Sequence, residues 1–129
     1  MSYKDLYHER LLDYFHHPRK KGTLEQPDFS SGVHNPSCGD SVLLQGIVRN
    51  GVLVTCRFQA QGCVISSAAA SLLAEKAEGK TVEEIAAYTP QTMLDLVGLS
   101  LGPTRIRCAL LALEALQTGI VVKKTMENL

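Results

Sequence analysis

Tryptophan is absent from the chain, aromatic residues make up only 5% of it, and its formal net charge is zero. Each shortage excludes something. With so few aromatics there is no platform on which bases could stack. Thirteen Lys and Arg balanced by thirteen Asp and Glu leave no overall attraction for nucleic acid or an anionic membrane. Long apolar runs are missing too: the opening MSYKDLYHERLLDYF mixes charged with apolar residues, unlike a signal peptide, and no later stretch approaches membrane-spanning length. A cytoplasmic protein is expected, with neither nucleic acid nor membrane as partner. No fixed-period repeat or low-complexity tract occurs, which sets solenoids aside. At 129 residues and 45% hydrophobic, the chain can bury one sizeable core, and residues 1–129 are read as a single domain.

Tyr3, Leu6, Tyr7, Leu11, Tyr14 and Phe15 recur with helical rhythm, and His17-Pro18 ends it because a residue before proline avoids the helical region. A first helix is expected over 3–16. The stretches 18–22 and 27–36 are rich in Gly, Ser, Pro and Asn and read as turns around one short strand at most. Asn50-Gly51 suits a type I′ turn, with Val42, Leu44 and Val48 on one arm and Val52, Val54, Cys56, Phe58 and Ala60 alternating on the other, so a hairpin is expected. An Ala- and Leu-rich helix covers 66–78 and stops at a left-handed Gly79. Thr81 and Glu84 have the spacing of a capping box that opens a short helix, and another spans 91–97. The last long helix follows Gly102-Pro103 and runs to Gly119, with Cys108 in its first turns. Sheet early and helices late make an α+β fold.

Four cysteines stand at positions 38, 56, 63 and 108. In a reducing compartment they suit metal binding or catalysis better than disulfides. Cys56 falls in phase with the apolar side of its strand, where a thiol behaves as a small hydrophobe. The other three lie at element boundaries, where distant segments converge: Cys38 in Asn35-Pro36-Ser37-Cys38-Gly39-Asp40, Cys63 after Gly62, and Cys108 near a helix start. Helix N-termini favour negative charge, so lowered thiol pKa values are expected for Cys63 and, more weakly, Cys108. Gly39 and Gly62 remove side chains beside cysteines. Three sulfurs and the Asp40 carboxylate would complete a tetrahedral zinc site or hold a [2Fe–2S] cluster with one weaker ligand. The wide spacing matches no compact Cys-x-x-Cys pair, so a shared site and three unrelated buried cysteines both stay open at this level.

Four local words narrow the choice: Asn-Pro-Ser-Cys-Gly-Asp (35–40), Gln-Gly-Cys-Val-Ile-Ser-Ser-Ala (61–68), Arg-Ile-Arg-Cys-Ala-Leu-Leu-Ala (105–112), and the opening Leu6-Tyr7 with His17-Pro18-Arg19-Lys20-Lys21-Gly22. Together, in order from about Tyr3 to Gly119, they resemble the U-type iron–sulfur scaffold family, which includes IscU, SufU and the N-terminal domain of NifU. The resemblance implies a SufE/IscU-like α+β fold with a small antiparallel sheet packed against several helices. It implies Cys38, Asp40, Cys63 and Cys108 as ligands of a transient [2Fe–2S] cluster, with zinc in the isolated protein. A cysteine desulfurase would supply persulfide sulfur to Cys108, as in IscU-type members, or to Cys38, as in SufU-type members. The recipients would be iron–sulfur apo-proteins or carriers, and a homodimer is compatible with the pattern. The chain would act as a scaffold and sulfur acceptor, with sulfurtransferase-type activity its only catalytic aspect. A SufU-like, zinc-dependent stimulation of the desulfurase is the alternative.

Two departures bear on subtype. Where IscU proteins have histidine before the third cysteine, this chain has Arg107, which cannot coordinate a cation. Yet the insertion of SufU proteins between the second and third motifs is missing. The Leu-Pro-Pro-Val-Lys segment of IscU is replaced by Leu99-Ser100-Leu101-Gly102-Pro103-Thr104. His8, His16 and His17 read as surface histidines, with His34 the one to watch because it precedes Cys38 by four residues. Arg19, Lys20, Lys21 and Lys123-Lys124 read as solvated charge, with an acidic partner as the open alternative. Ser66 and Ser67 read as helix-capping residues, with no nucleophile elbow around them.

Overall fold

A computed structural model of the chain describes residues 3–36, 39–98 and 101–127; the side chains of 3–8, 104 and 124–127 are not among those described. Cys38, Leu99 and Ser100 therefore lie outside the described residues. The order is α1 (Tyr3–His16), β1 (Phe29–Asn35), β2 (Asp40–Arg49), β3 (Val52–Gln61), α2 (Val64–Ala77), α3 (Val82–Ala86), α4 (Pro90–Val97) and α5 (Pro103–Glu127). Among the described residues the strands form one antiparallel sheet in the order β1-β2-β3. Helices α2 and α5 pack against the sheet, α1 lies on α2, and α4 fills the space beside α2 and α5. The fold is α+β, as expected.

Alternation along β2 sets the core. Asp40, Val42, Leu44, Gly46 and Val48 face inward while their neighbours are less buried, because successive strand residues point to opposite faces. Leu44, Leu53, Leu73 and Leu116 are fully enclosed, each such burial contributing about 1.5–3 kcal/mol. Helix α2 can run through the middle because Ala68, Ala69, Ala70 and Ala74 are small enough to be buried on several sides.

The hairpin turns at Asn50 (φ 54°) and Gly51 (φ 76°), both positive as a type I′ turn requires. One expectation fails just beyond it. Ile47 pairs with Thr55 but Val48 pairs with Leu53, so Val54 is the extra residue of a bulge. The bulge turns Val54 out to 42% exposure and Leu53 inward, so Val54 does not share a face with Cys56. The one short strand allowed within 27–36 is present as the seven-residue β1, anchored by antiparallel pairing to β2 from Phe29↔Gly46 to Asn35↔Asp40.

Helix ends differ in detail from the sequence reading. Gly79 is not a direct left-handed cap of α2. Glu78 takes φ −62° and ψ 126°, Gly79 has φ 92°, and the Lys80 amide donates to the Ala77 carbonyl at 3.0 Å. That is a type II turn with glycine at its third position. The Thr81–Glu84 capping box is present. Helix α5 does not stop at Gly119 but continues to Glu127. Glycine is needed there for space, since a Cβ would stand 2.5 Å from the Phe29 ring and 3.1 Å from Ser31 Cβ.

The basic turn after α1 is more than solvated charge. Arg19 donates to Asp13 at 2.7 Å and Lys20 to Glu78 at 2.7 Å. The Arg19 amide donates to Ser71 Oγ at 2.8 Å, and that hydroxyl donates back to the Arg19 carbonyl at 3.1 Å. The turn also pairs with Phe58 of β3 through its backbone. It thereby shields part of an edge strand.

Candidate metal and cluster site

Three elements bring the site together. Strand alternation places Asp40, the first residue of β2, on the inward face with Val42 and Leu44, and it is only 2% exposed. Cys63 ends the loop after β3 and is the N-cap of α2, its sulfur accepting the Ser66 amide at 3.5 Å. Cys108 sits near the start of α5 with its side chain buried. Ligand atoms of Asp40, Cys63 and Cys108 all lie within 4.8 Å of one another.

The carboxylate is the hub. Asp40 Oδ1 accepts the Cys63 backbone N–H at 3.0 Å. Asp40 Oδ2 is approached by Cys63 Sγ at 3.4 Å and by Cys108 Sγ at 2.9 Å. Desolvation pushes the Cys108 thiol well above its ordinary range, and the hydrogen bonds to Asp40 and Cys63 and the negative charge they carry push the same way. The expected lowering of the Cys108 pKa is thus reversed. Cys108 lies beyond the first turn of α5, where the dipole fades, and its nearest partner is an acceptor. A soft cation arriving here would displace a proton from Cys108 and supply the positive charge its thiolate needs. Two sulfurs and one oxygen at this separation suit zinc or iron in tetrahedral surroundings.

Of the residues singled out by sequence, Asp40, Cys63 and Cys108 converge, while Cys38 is outside the described residues. Cys56 is in the core as expected; burial and the nearby Glu78 push its thiol up to about 12. His16, His17 and His34 are exposed, and His17 pairs with Asp13 at 3.5 Å. The side chain of His8 is not among those described. Arg107 is exposed beside a hollow of about 330 Å³ that it lines with His34 and Glu114.

Ser66 and Ser67 lie inside α2 rather than at its cap. Cys63 is the cap, and buried Ser66 reaches back, its hydroxyl donating to the Cys63 carbonyl at 3.1 Å. The Cys-x-x-Ser spacing at a strand-to-helix junction carried that signal. Arg105 was passed over, yet it lines a cleft of about 460 Å³ with Leu12, Phe15, Val64 and Cys63 itself. A larger hollow of about 620 Å³ on the sheet touches none of Asp40, Cys63 and Cys108, so donor chemistry rather than size marks the candidate site.

Fold and donor set define a class: a small α+β protein that gathers cysteine thiols and a buried aspartate from distant segments into one candidate site for a thiophilic metal. The chain belongs to the NifU-like N-terminal domain family, whose model matches residues 6–127. It is 31% identical over 126 residues to the Haemophilus influenzae iron–sulfur cluster assembly scaffold protein IscU, covering 95% of this chain and 98% of that one. It is 37% identical over 122 residues to the mitochondrial iron sulfur cluster assembly protein 1 of Debaryomyces hansenii, covering 91% of this chain and 67% of that one. Among solved structures, the N-terminal NifU-like protein of Brucella abortus superposes with a TM-score of 0.77 at 24% identity, over 95% of this chain and 96% of that one, a likeness of fold.

Proposed function

We propose that this chain is one scaffold domain on which a [2Fe–2S] cluster is assembled from iron and desulfurase-derived sulfur and then passed to iron–sulfur apo-proteins or carriers. The convergence of Asp40, Cys63 and Cys108 from β2, α2 and α5 carries the reading, with Cys38 as the further thiolate. Cluster and iron are cargo. A thiolate of Cys108 or Cys38 attacks the outer sulfur of the desulfurase persulfide, forming a new S–S bond as the desulfurase thiolate leaves. An external reductant then supplies two electrons to turn that sulfur into sulfide. Three thiols that must stay reduced suit a reducing compartment such as the cytosol.

Reconstitution with iron(II), L-cysteine, a cysteine desulfurase and dithiothreitol tests the proposal. Wild type should develop sulfur-to-iron charge-transfer absorption and Cys63→Ala should not; a colourless wild type would refute the scaffold role. Arg107, which cannot serve as a ligand, favours a second reading: zinc held by the same residues, with the chain accepting sulfur and stimulating the desulfurase. Stimulation of desulfurase turnover by the zinc-loaded form, lost on zinc removal and without iron uptake, would establish that reading instead.

A further inference from the structure

The buried carboxylate offers its two oxygens unequally. Oδ1 accepts the Cys63 amide at the end of α2 at 3.0 Å, while both sulfurs gather on Oδ2, at 3.4 and 2.9 Å. This close approach depends on the residue before Cys63. A Cβ on Gly62 would overlap Asp40 Oδ1, stand 2.6 Å from its Cγ and 2.9 Å from its Cα. Gly39 gives the contrast: a Cβ there would meet nothing within 4 Å, so only the space at Gly62 is filled by the carboxylate.

We infer that Gly62 and the Cys63 amide form a lock that presents Asp40 to an incoming metal through Oδ2 alone, making Gly62 a positioning residue for one-oxygen ligation. The inference rests on reading Asp40 as a ligand. One carboxylate oxygen with three thiolates makes four protein ligand atoms, the number taken by one tetrahedral zinc ion or shared between the two irons of a [2Fe–2S] cluster. Two-oxygen binding, the habit of larger hard cations, would raise the coordination number. The lock also gives release a hinge. When Oδ2 lets go, Oδ1 remains tied to the Cys63 amide, so the ligand can dissociate and return without leaving the site.

The test uses the full chain with cobalt(II) as the spectroscopic probe, beside thermal melts and amide exchange of the metal-free forms. Asp40→Asn keeps an oxygen acceptor for the Cys63 amide, whereas Asp40→Ala does not. The Ala variant should melt roughly 3–6 °C below the Asn variant and lose the slow exchange of the Cys63 amide; equal melting and exchange would overturn the lock. Gly62→Ala should weaken cobalt binding roughly 10- to 100-fold and give the absorption envelope of cobalt-loaded Asp40→Ala. Wild-type affinity and envelope in Gly62→Ala would overturn the positioning role. Should Gly62→Ala fail to fold, the Asp40 pair still decides the lock. Asp40→Asn and Asp40→Ala both binding cobalt as wild type does would sink the ligand reading and the one-oxygen role with it, while a melting difference between them would still uphold the lock.

Discussion

A partly or fully buried carboxylate sits at each end of α2, and the two are surrounded by different chemistry. At the C-terminal end Glu78 accepts from Lys20 at 2.7 Å, from Arg57 at 3.0 Å and from the Cys56 amide at 2.9 Å. At the N-terminal end Asp40 accepts the Cys63 amide and faces two thiols. Cations close the first end: Glu78 ties the basic turn after α1 to β3, and nothing there invites a ligand. Thiols shed protons when a metal arrives, so the second end has the chemistry that the proposed uptake and release of a cation need. The helix is the same and both residues are carboxylic acids; the neighbours decide whether the group suits a clasp or the proposed ligand.

The two ends should separate cleanly under mutation. Glu78→Ala leaves Lys20, Arg57 and the Cys56 amide without their acceptor and should cost about 2–3 kcal/mol, read by urea unfolding, while cobalt binding at the other end stays at the wild-type level. A loss of cobalt affinity in that variant would break the comparison. The same clasp has a pH signature. Burial works against ionisation of Glu78, but Lys20, the Cys56 amide and Arg57 outweigh it and hold its pKa below the ordinary 4.5. A depressed folded pKa stabilises above the unfolded value and loses that contribution as pH falls through the folded one. Unfolding free energies measured between pH 6 and pH 3 should therefore fall less steeply in Glu78→Gln than in wild type.

Smaller effects sharpen the contrast. Gly119→Ala gains helix propensity of about 1 kcal/mol but drives a methyl into Phe29, so a net loss of about 1–2 kcal/mol is expected in urea. Thr81→Ala removes one half of a capping box and should cost about 1 kcal/mol or less, read the same way. Neither should alter cluster loading.

What the sequence makes legible is what local rules determine. Helix α1 ends where His17-Pro18 requires, Asn50-Gly51 makes its turn, and Thr81 caps α3. The ends of α2 at Cys63 and Gly79 are local details, but the larger misreadings need a partner far along the chain. Gly119 looks like a stop until Phe29 is seen lying against it, Val54 looks inward until the register slips opposite Ile47, and the short strand within 27–36 takes its bounds only from pairing with β2. The site divides the same way. Cys63, Cys108 and Asp40 were marked by their positions at element boundaries and by family words, and the parity of Asp40 with Val42 and Leu44 would have shown that it faces inward. The purpose of Gly62 was not legible, because the atom that fills its empty space belongs to residue 40. Nor was the raised pKa of Cys108, which comes from burial and from that same carboxylate.

The claim that the Asp40 end gives back what it takes is tested most directly by cluster transfer. Wild type and Asp40→Ala would be loaded with [2Fe–2S] and mixed with an apo-protein that accepts such a cluster, with visible circular dichroism following the handover. If Asp40 is the weak ligand through which the cluster leaves, Asp40→Ala should hold its cluster longer and transfer it more slowly; equal or faster transfer from that variant would contradict the account.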